Sequence, residues 1–491
     1  MNGPSLSCIV VLACTLTSFA FAQGHDPVVG RWFGVADQPG DPAGIGFEIQ
    51  ADAQGALRAT ATNTTIQFVG RPAGPVTVQG GGVYQVGGIT LTLRDETLTG
   101  EMTALRIPVR LQRVDAMPAP ATMPEFPPGP APKWKAALGA PLYAAPAVRD
   151  GVAYVGSTGG LFHAVNLADG RFKWAFAAGR PIHGEATVTD AAVYFVCDNG
   201  YLFKLNRADG TEVWRYDLGD ARVPRTLLHF MNLENDHGAP RPLLVDGTLY
   251  VGAGDGGFHA VDAASGQRVW RFAAEGKIRQ TAEVAGDLVF FGTIGNAQAY
   301  AMGLGQLYAV KRSTGELAWQ HDMRGAATSA PVLVGDKLIV GNRGSTLLAL
   351  NPATGAVLWR KYFWGSWVES TPVPAGELFY LGSADLRTVR AYDPRDGSYR
   401  WSTYVHGWMW DRVAVSDDTI YAATGCTDLP GKPYHASLFA LERATGRVKW
   451  RVPMPELPGV LFSGFGSAPV LADGLLLAAS LDGTLYAFPT P

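Results

Sequence analysis

Short runs of alternating apolar and polar residues, punctuated by glycine, fill most of the chain. Gly46–Asp52 (GFEIQAD), Ala56–Thr62 (ALRATAT), Thr64–Val69 (TTIQFV), Ile89–Arg94 (ITLTLR) and Ile107–Val114 (IPVRLQRV) show this period of two. It is the pattern of a strand with one face buried and one face wet. Residues 27–115 therefore read as a small antiparallel β-barrel or sandwich. Residues 116–132 (AMPAPATMPEFPPGPAP) hold seven prolines, which lack backbone donors and favour extended conformations, so a semi-rigid linker is expected there.

From residue 133 the pattern becomes a repeat. A Gly turn is followed, after three intervening residues, by Trp in ADGRFKW (Trp174), ADGTEVW (Trp214), ASGQRVW (Trp270), STGELAW (Trp319), ATGAVLW (Trp359), RDGSYRW (Trp401) and ATGRVKW (Trp450). The tryptophans are spaced by 40, 56, 49, 40, 42 and 49 residues. Periods of this length with several strands per unit indicate a β-propeller rather than a helical solenoid. The first unit reads as strand A at Ala145–Arg149, B at Val152–Gly156, C at Leu161–Asn166 and D ending near Trp174. The last unit, Ser467–Phe488, has three strands and no Gly-x-x-x-Trp. Its missing strand is available at Lys133-Trp134-Lys135, 40 residues before Trp174. The fold class expected is all-β: an eight-bladed propeller closed by its N-terminal strand and preceded by a small β domain.

The repeat resembles the tryptophan-docking motif of the PQQ-like (quinoprotein) propeller superfamily, with Val368–Trp401 as a representative blade. The opening Gly30-Arg31-Trp32 resembles the start of lipocalin-like barrels. The superfamily resemblance implies one of two activities. One is a non-catalytic scaffold, similar to the outer-membrane assembly lipoprotein of Gram-negative bacteria. The other is a PQQ- and Ca²⁺-dependent alcohol dehydrogenase. For the second, Trp410 or Trp367 is the expected stacking floor, Glu185 or Glu369 the Ca²⁺ ligand, and Asp411 the base. Those dehydrogenases carry a disulfide between adjacent cysteines, and this chain has no Cys-Cys.

The polypeptide has 491 residues, with 40 Lys+Arg against 43 Asp+Glu and a net charge of −3. Near balance argues against a nucleic-acid partner, which calls for a basic excess. Residues 1–22 lack any charged side chain and end Ala20-Phe21-Ala22, predicting an export signal with the mature chain starting at Gln23. A lipid anchor at Cys14 is the lesser alternative. The protein is thus expected in the periplasm or outside the cell, with residues 23–115, 116–132 and 133–491 as domain, linker and propeller. Neither CxxC nor CxxCH occurs, which leaves no motif for zinc or covalent haem, and Cys197 and Cys426 are expected as free or buried thiols.

Turns A–B and C–D are uniformly short, whereas the long connections all fall between B and C or between D and the next A. One face is therefore plain and the other elaborated, and elaborated loops on a rigid frame are where binding concentrates. Two of those loops, KYFWGSWVES and YVHGWMWDR, hold Trp364, Trp367, Trp408 and Trp410 beside Glu369, His406, Asp411 and Arg412. Rings next to polar groups suit a flat ligand such as a quinone or sugar, or they pack blade against blade. Aligning the starts of strand A gives a second set. Tyr143, His183, Arg279, Thr328, Glu369 and Trp410 share one position. Glu185, Arg241, Thr281, Thr371 and Arg412 share the position two later. These residues are expected around the channel mouth, where they bind a polar ligand or Ca²⁺, or pair with one another. No Gly-x-Ser-x-Gly, His-Glu-x-x-His or phosphate-binding loop is present. The leading expectation is an exported protein that holds a protein, peptide or polysaccharide on its decorated face; the oxidoreductase is the alternative.

Overall fold

The computed structural model describes residues 26–220, 238–295, 304–427, 435–457, 460 and 462–490. The expected export signal, with Cys8 and Cys14, lies outside the described residues, as do His229 and His237 of the loop after Trp214. The chain forms two compact units.

In the first unit eight antiparallel strands close into a barrel, from Gly30–Ala36 to Ile107–Arg113, which pair with each other. Trp32 is fully buried and its indole N–H donates to the Val28 carbonyl at 2.7 Å, while the Arg113 guanidinium lies 4.3 Å from its ring centre. One expected strand is corrected. Thr64–Gln67 is a turn between strands Leu57–Asn63 and Phe68–Gly80. The Asn63 side chain accepts the Thr65 N–H at 3.0 Å, which ends the strand at a point where β-branched residues alone suggest it continues.

The second unit is a ring of eight sheets with strand order A-B-C-D in each. Blade one runs Ala147–Arg149, Val152–Gly156, Leu161–Asn166 and Phe172–Ala177. Blade eight runs Val470–Ala472, Leu475–Ala479 and Thr484–Pro489, and takes Trp134–Ala137 as its strand D. The closing register pairs Tyr486 with Lys135 and Ala487 with Trp134. Closure leaves each sheet with neighbours on both faces and no open end to the ring.

The repeated phrase is explained by what its two key residues touch. The indole N–H groups of the docking tryptophans other than Trp450 reach a backbone carbonyl of the next blade, as in Trp134 to Leu167 at 2.7 Å, Trp174 to Arg207 at 3.0 Å, Trp270 to Arg312 at 2.8 Å and Trp401 to Arg443 at 3.0 Å. The indole ring lies flat against the glycine of that blade's C–D turn. A Cβ at Gly170 would stand 2.7 Å from Trp134 Cε3, and these turn glycines also hold φ between +70° and +75°. Both the close approach and the left-handed backbone select glycine. The cores accordingly lie between blades, as where Tyr250, Phe258 and Trp270 of blade three meet Phe291 and Tyr308 of blade four.

The loops after blade seven's strand B and D differ from the expectation. Strand B extends over Thr419–Thr427, and Phe462–Gly464 pairs with its end, making a five-stranded sheet. Cys197 and Cys426 are both buried free thiols.

Candidate functional site

In seven of the eight blades the residue four positions before strand A lines the axial cavity. Tyr143, His183, Arg279, Glu369 and Trp410 occupy that position, and Glu185, Arg241, Thr281, Thr371 and Arg412 lie two residues on. All ten line one axial cavity of about 350 Å³. Thr328, the remaining residue of the set, is buried and donates its hydroxyl to the Val368 carbonyl at 3.3 Å.

Several ionisable groups of this cavity are paired, with one another or with residues behind the lining. Glu185 of blade two reaches Arg412 of blade seven at 2.7 Å, with Arg241 of blade three 3.8 Å from its other oxygen. Burial works against the Arg412 charge, but Glu185 and Asp411 outweigh it and push the Arg412 pKa up. Glu369 takes two bonds on one oxygen from Arg343, from Nε at 3.0 Å and Nη2 at 2.7 Å, and both side chains are buried. Arg279 reaches Asp220 at 2.7 Å, and Asp220 also accepts the Gly254 N–H at 2.8 Å. His183 Nε2 is 3.3 Å from Asp198, and its ring lies 5.5 Å from that of Tyr143. Asp411 accepts two backbone N–H groups, from Arg412 at 2.7 Å and Ala468 at 2.9 Å.

Of the expected ligand-binding residues, His183, Glu185, Arg279, Glu369, Trp410 and Arg412 come together here, with Asp411 beside them. The four loop tryptophans do not form one platform. Trp410 lines the cavity, with Phe462 edge-on at 5.0 Å and Trp408 tilted at 5.7 Å. Trp367 is covered by the Arg343 guanidinium, 4.7 Å from its ring centre. Trp364 is buried against Tyr362. His406 is buried away from the cavity, edge-on to Tyr404 at 4.1 Å. The partners Arg343, Asp220 and Asp198 are absent from the alignment of strand A starts, because they sit in other connections of the blades. Their signal in the sequence is only a charged residue next to a turn.

Two buried histidines predict a loss of stability in acid. His259, bonded to the Tyr216 hydroxyl at 3.0 Å, is pushed down to about 4 by burial and by nearby Arg271. His406 is pushed down to about 4 by burial and by His435 and Arg387. An unfolded imidazole titrates near about 6.5, so protonation favours the unfolded chain. The contribution of both groups is complete above that value and is lost as pH falls toward 4. At about 1.4 kcal/mol per pKa unit, His259 alone costs about 3 kcal/mol by pH 4. Melting temperature measured from pH 7 to 4 is expected to fall mainly below pH 6.5, and less steeply in His259→Phe.

An eight-bladed ring with tryptophan docking and a charged axial cavity defines a PQQ-like propeller. The chain belongs to the PQQ-repeat family described as outer membrane protein assembly factor BamB, whose model matches residues 130–229, 205–304, 303–407 and 386–490. Among curated proteins it is similar to a quinohemoprotein alcohol dehydrogenase of Comamonas testosteroni, 29% identical over 276 residues, covering 49% of this chain and 36% of that one. It is also similar to an outer membrane protein assembly factor BamB of Alkalilimnicola ehrlichii, 27% identical over 148 residues, covering 30% of this chain and 36% of that one. The chain spans about a third of the length of the dehydrogenases it matches first. The crystal structure of the Comamonas testosteroni dehydrogenase shares the fold, with a TM-score of 0.54 at 14% identity over 73% of this chain and 76% of that one.

Among the described residues, the carboxylates expected to hold Ca²⁺ are engaged elsewhere. The ion takes six to eight oxygens, yet among the described residues no three His, Cys, Asp or Glu side chains come together. Glu185 and Glu369, the expected ligands, each have an arginine at 2.7 Å.

Proposed function

We propose that this protein is an exported binding or scaffold propeller, which holds a peptide, protein or polysaccharide segment on its loop-bearing face over the axial cavity. The observation that carries this reading is that the cavity's carboxylates are paired: Glu185 with Arg412, which also lines the cavity, and Glu369 with the buried Arg343. A rim that retains an indole, a second arginine (Arg241) and the hydroxyls of Thr281 and Thr371 is suited to grip a polar ligand by hydrogen bonds and ring contact. Export is supported by the Ala20-Phe21-Ala22 pattern and by the outer-membrane role in the family's description. Among the described residues no helix is long and apolar enough to cross a membrane.

The second reading is a PQQ- and Ca²⁺-dependent oxidoreductase with Asp411 as base, favoured by the 29% identity to a quinohemoprotein alcohol dehydrogenase. Against it, both oxygens of Asp411 already accept backbone N–H groups.

Tryptophan fluorescence titration against oligosaccharides and peptides tests the binding reading. A saturable change is expected with at least one ligand class, and Trp410→Ala is expected to weaken it about tenfold or more with an unchanged melting temperature, as for loss of one well-packed ring. No saturable response in any class, or equal affinity in the variant, contradicts the assignment.

A further inference from the structure

Blade eight has no C–D turn, since its strands C and D, Thr484–Pro489 and Trp134–Ala137, come from opposite ends of the propeller sequence. Trp450 of blade seven therefore faces a blade without the turn glycine on which the other docking tryptophans rest. The linker fills that place. A Cβ at Gly129 would stand 2.7 Å from Trp450 Cε3 and 2.5 Å from Val452 Cγ2. Two turn glycines meet the same pair of positions: Gly397 faces Trp359 and Lys361, and Gly446 faces Trp401 and Thr403, in each case the Trp and the residue two further on. Gly129 differs in one respect, because its φ lies outside the left-handed region. Glycine is required there by close approach alone.

The segment is also paired. Gly129 N–H donates to the Arg451 carbonyl at 2.9 Å, and Arg451 N–H donates to the Pro127 carbonyl at 2.9 Å, in parallel register around Pro128. Phe126 packs edge-on against Phe439 at 5.7 Å and lies 6.5 Å from His406. Prolines 127 and 128 offer no N–H and hold the backbone extended, so little freedom is lost on docking.

We propose that the outer edge of blade seven, Val448–Pro453, is a recognition surface for an extended segment with an aromatic anchor, two prolines and a glycine, and that Phe126–Gly129 of this chain is its resident occupant. Docking supplies the eighth cap of the ring and covers an open strand edge. It adds a second point of closure to the pairing of Trp134–Ala137, and it stands apart from any ligand on the axial cavity.

The test uses the full chain with Gly129→Ala, the milder Phe126→Ala, and Pro124→Ala as control, read by melting temperature and by hydrogen exchange of the peptide covering 448–453. Gly129→Ala and Phe126→Ala are expected to lower the melting temperature by roughly 2 °C or more. Exchange at 448–453 is expected to speed about tenfold, the signature of local opening, with Val357–Tyr362 of blade five unchanged and the control like wild type. Wild-type exchange at 448–453 in both variants overturns the proposal. So does acceleration that extends equally to Val357–Tyr362, since that reports general destabilisation.

Discussion

Replacing Arg343 by Met is expected to cost about 3–5 kcal/mol of folding stability, the range for breaking a buried ion pair from one side. Arg343 and Glu369 are 4% and 6% exposed, and the guanidinium gives two bonds to the same carboxylate oxygen. The other oxygen, Glu369 Oε2, is buried and accepts no hydrogen bond among the described residues. Removing the arginine therefore leaves a buried carboxylate with no compensation and uncovers the Trp367 ring. Urea denaturation measures the loss. The double variant Arg343→Met, Glu369→Leu is expected to recover most of it, because deleting both charges removes the desolvation cost as well as the attraction. Equal losses in single and double variants would show that the pair matters for shape rather than charge.

Trp270→Ala is expected to cost a similar amount, about 3–5 kcal/mol for a large buried ring. The indole lies between blades three and four, among Tyr250, Phe258 and Tyr308, and rests on Gly315. Trp270→Phe keeps a ring in the gap but gives up the 2.8 Å bond to the Arg312 carbonyl. It is expected to lose about 1 kcal/mol, the net worth of one partly buried hydrogen bond. Denaturation of the two variants side by side separates the packing contribution from the hydrogen bond.

The ring is legible in the sequence because every blade faces the same local problem. A strand D must present an indole, and the next blade must present a surface with no side chain in the way. The answer, Gly-x-x-x-Trp, recurs with fixed spacing, and even the borrowed strand at Trp134 is found by counting. The cap at Gly129 escapes this count, because it stands five residues before Trp134 rather than four and lies inside a proline-rich stretch that reads as linker. The strand A alignment places residues around the axis correctly, since position in a strand fixes the side a residue faces. It does not tell whom they meet. The Glu185–Arg412 bond joins blade two to blade seven, and sequence periodicity relates neighbours rather than residues facing each other across a channel. Loop tryptophans are harder still: Trp364 and Trp410 look alike in composition, yet one is buried and the other lines the cavity. Thr64–Val69 fails for a local reason, a single asparagine whose side chain closes a turn.

The most direct measurement of whether this propeller binds rather than oxidises is reconstitution of the purified full chain with PQQ and Ca²⁺, followed by quinone absorption and alcohol-dependent dye reduction. With Glu185 and Glu369 held by arginines, no saturable quinone band and no turnover are expected. Stoichiometric quinone binding with alcohol-dependent reduction, abolished by Asp411→Asn, would contradict the account.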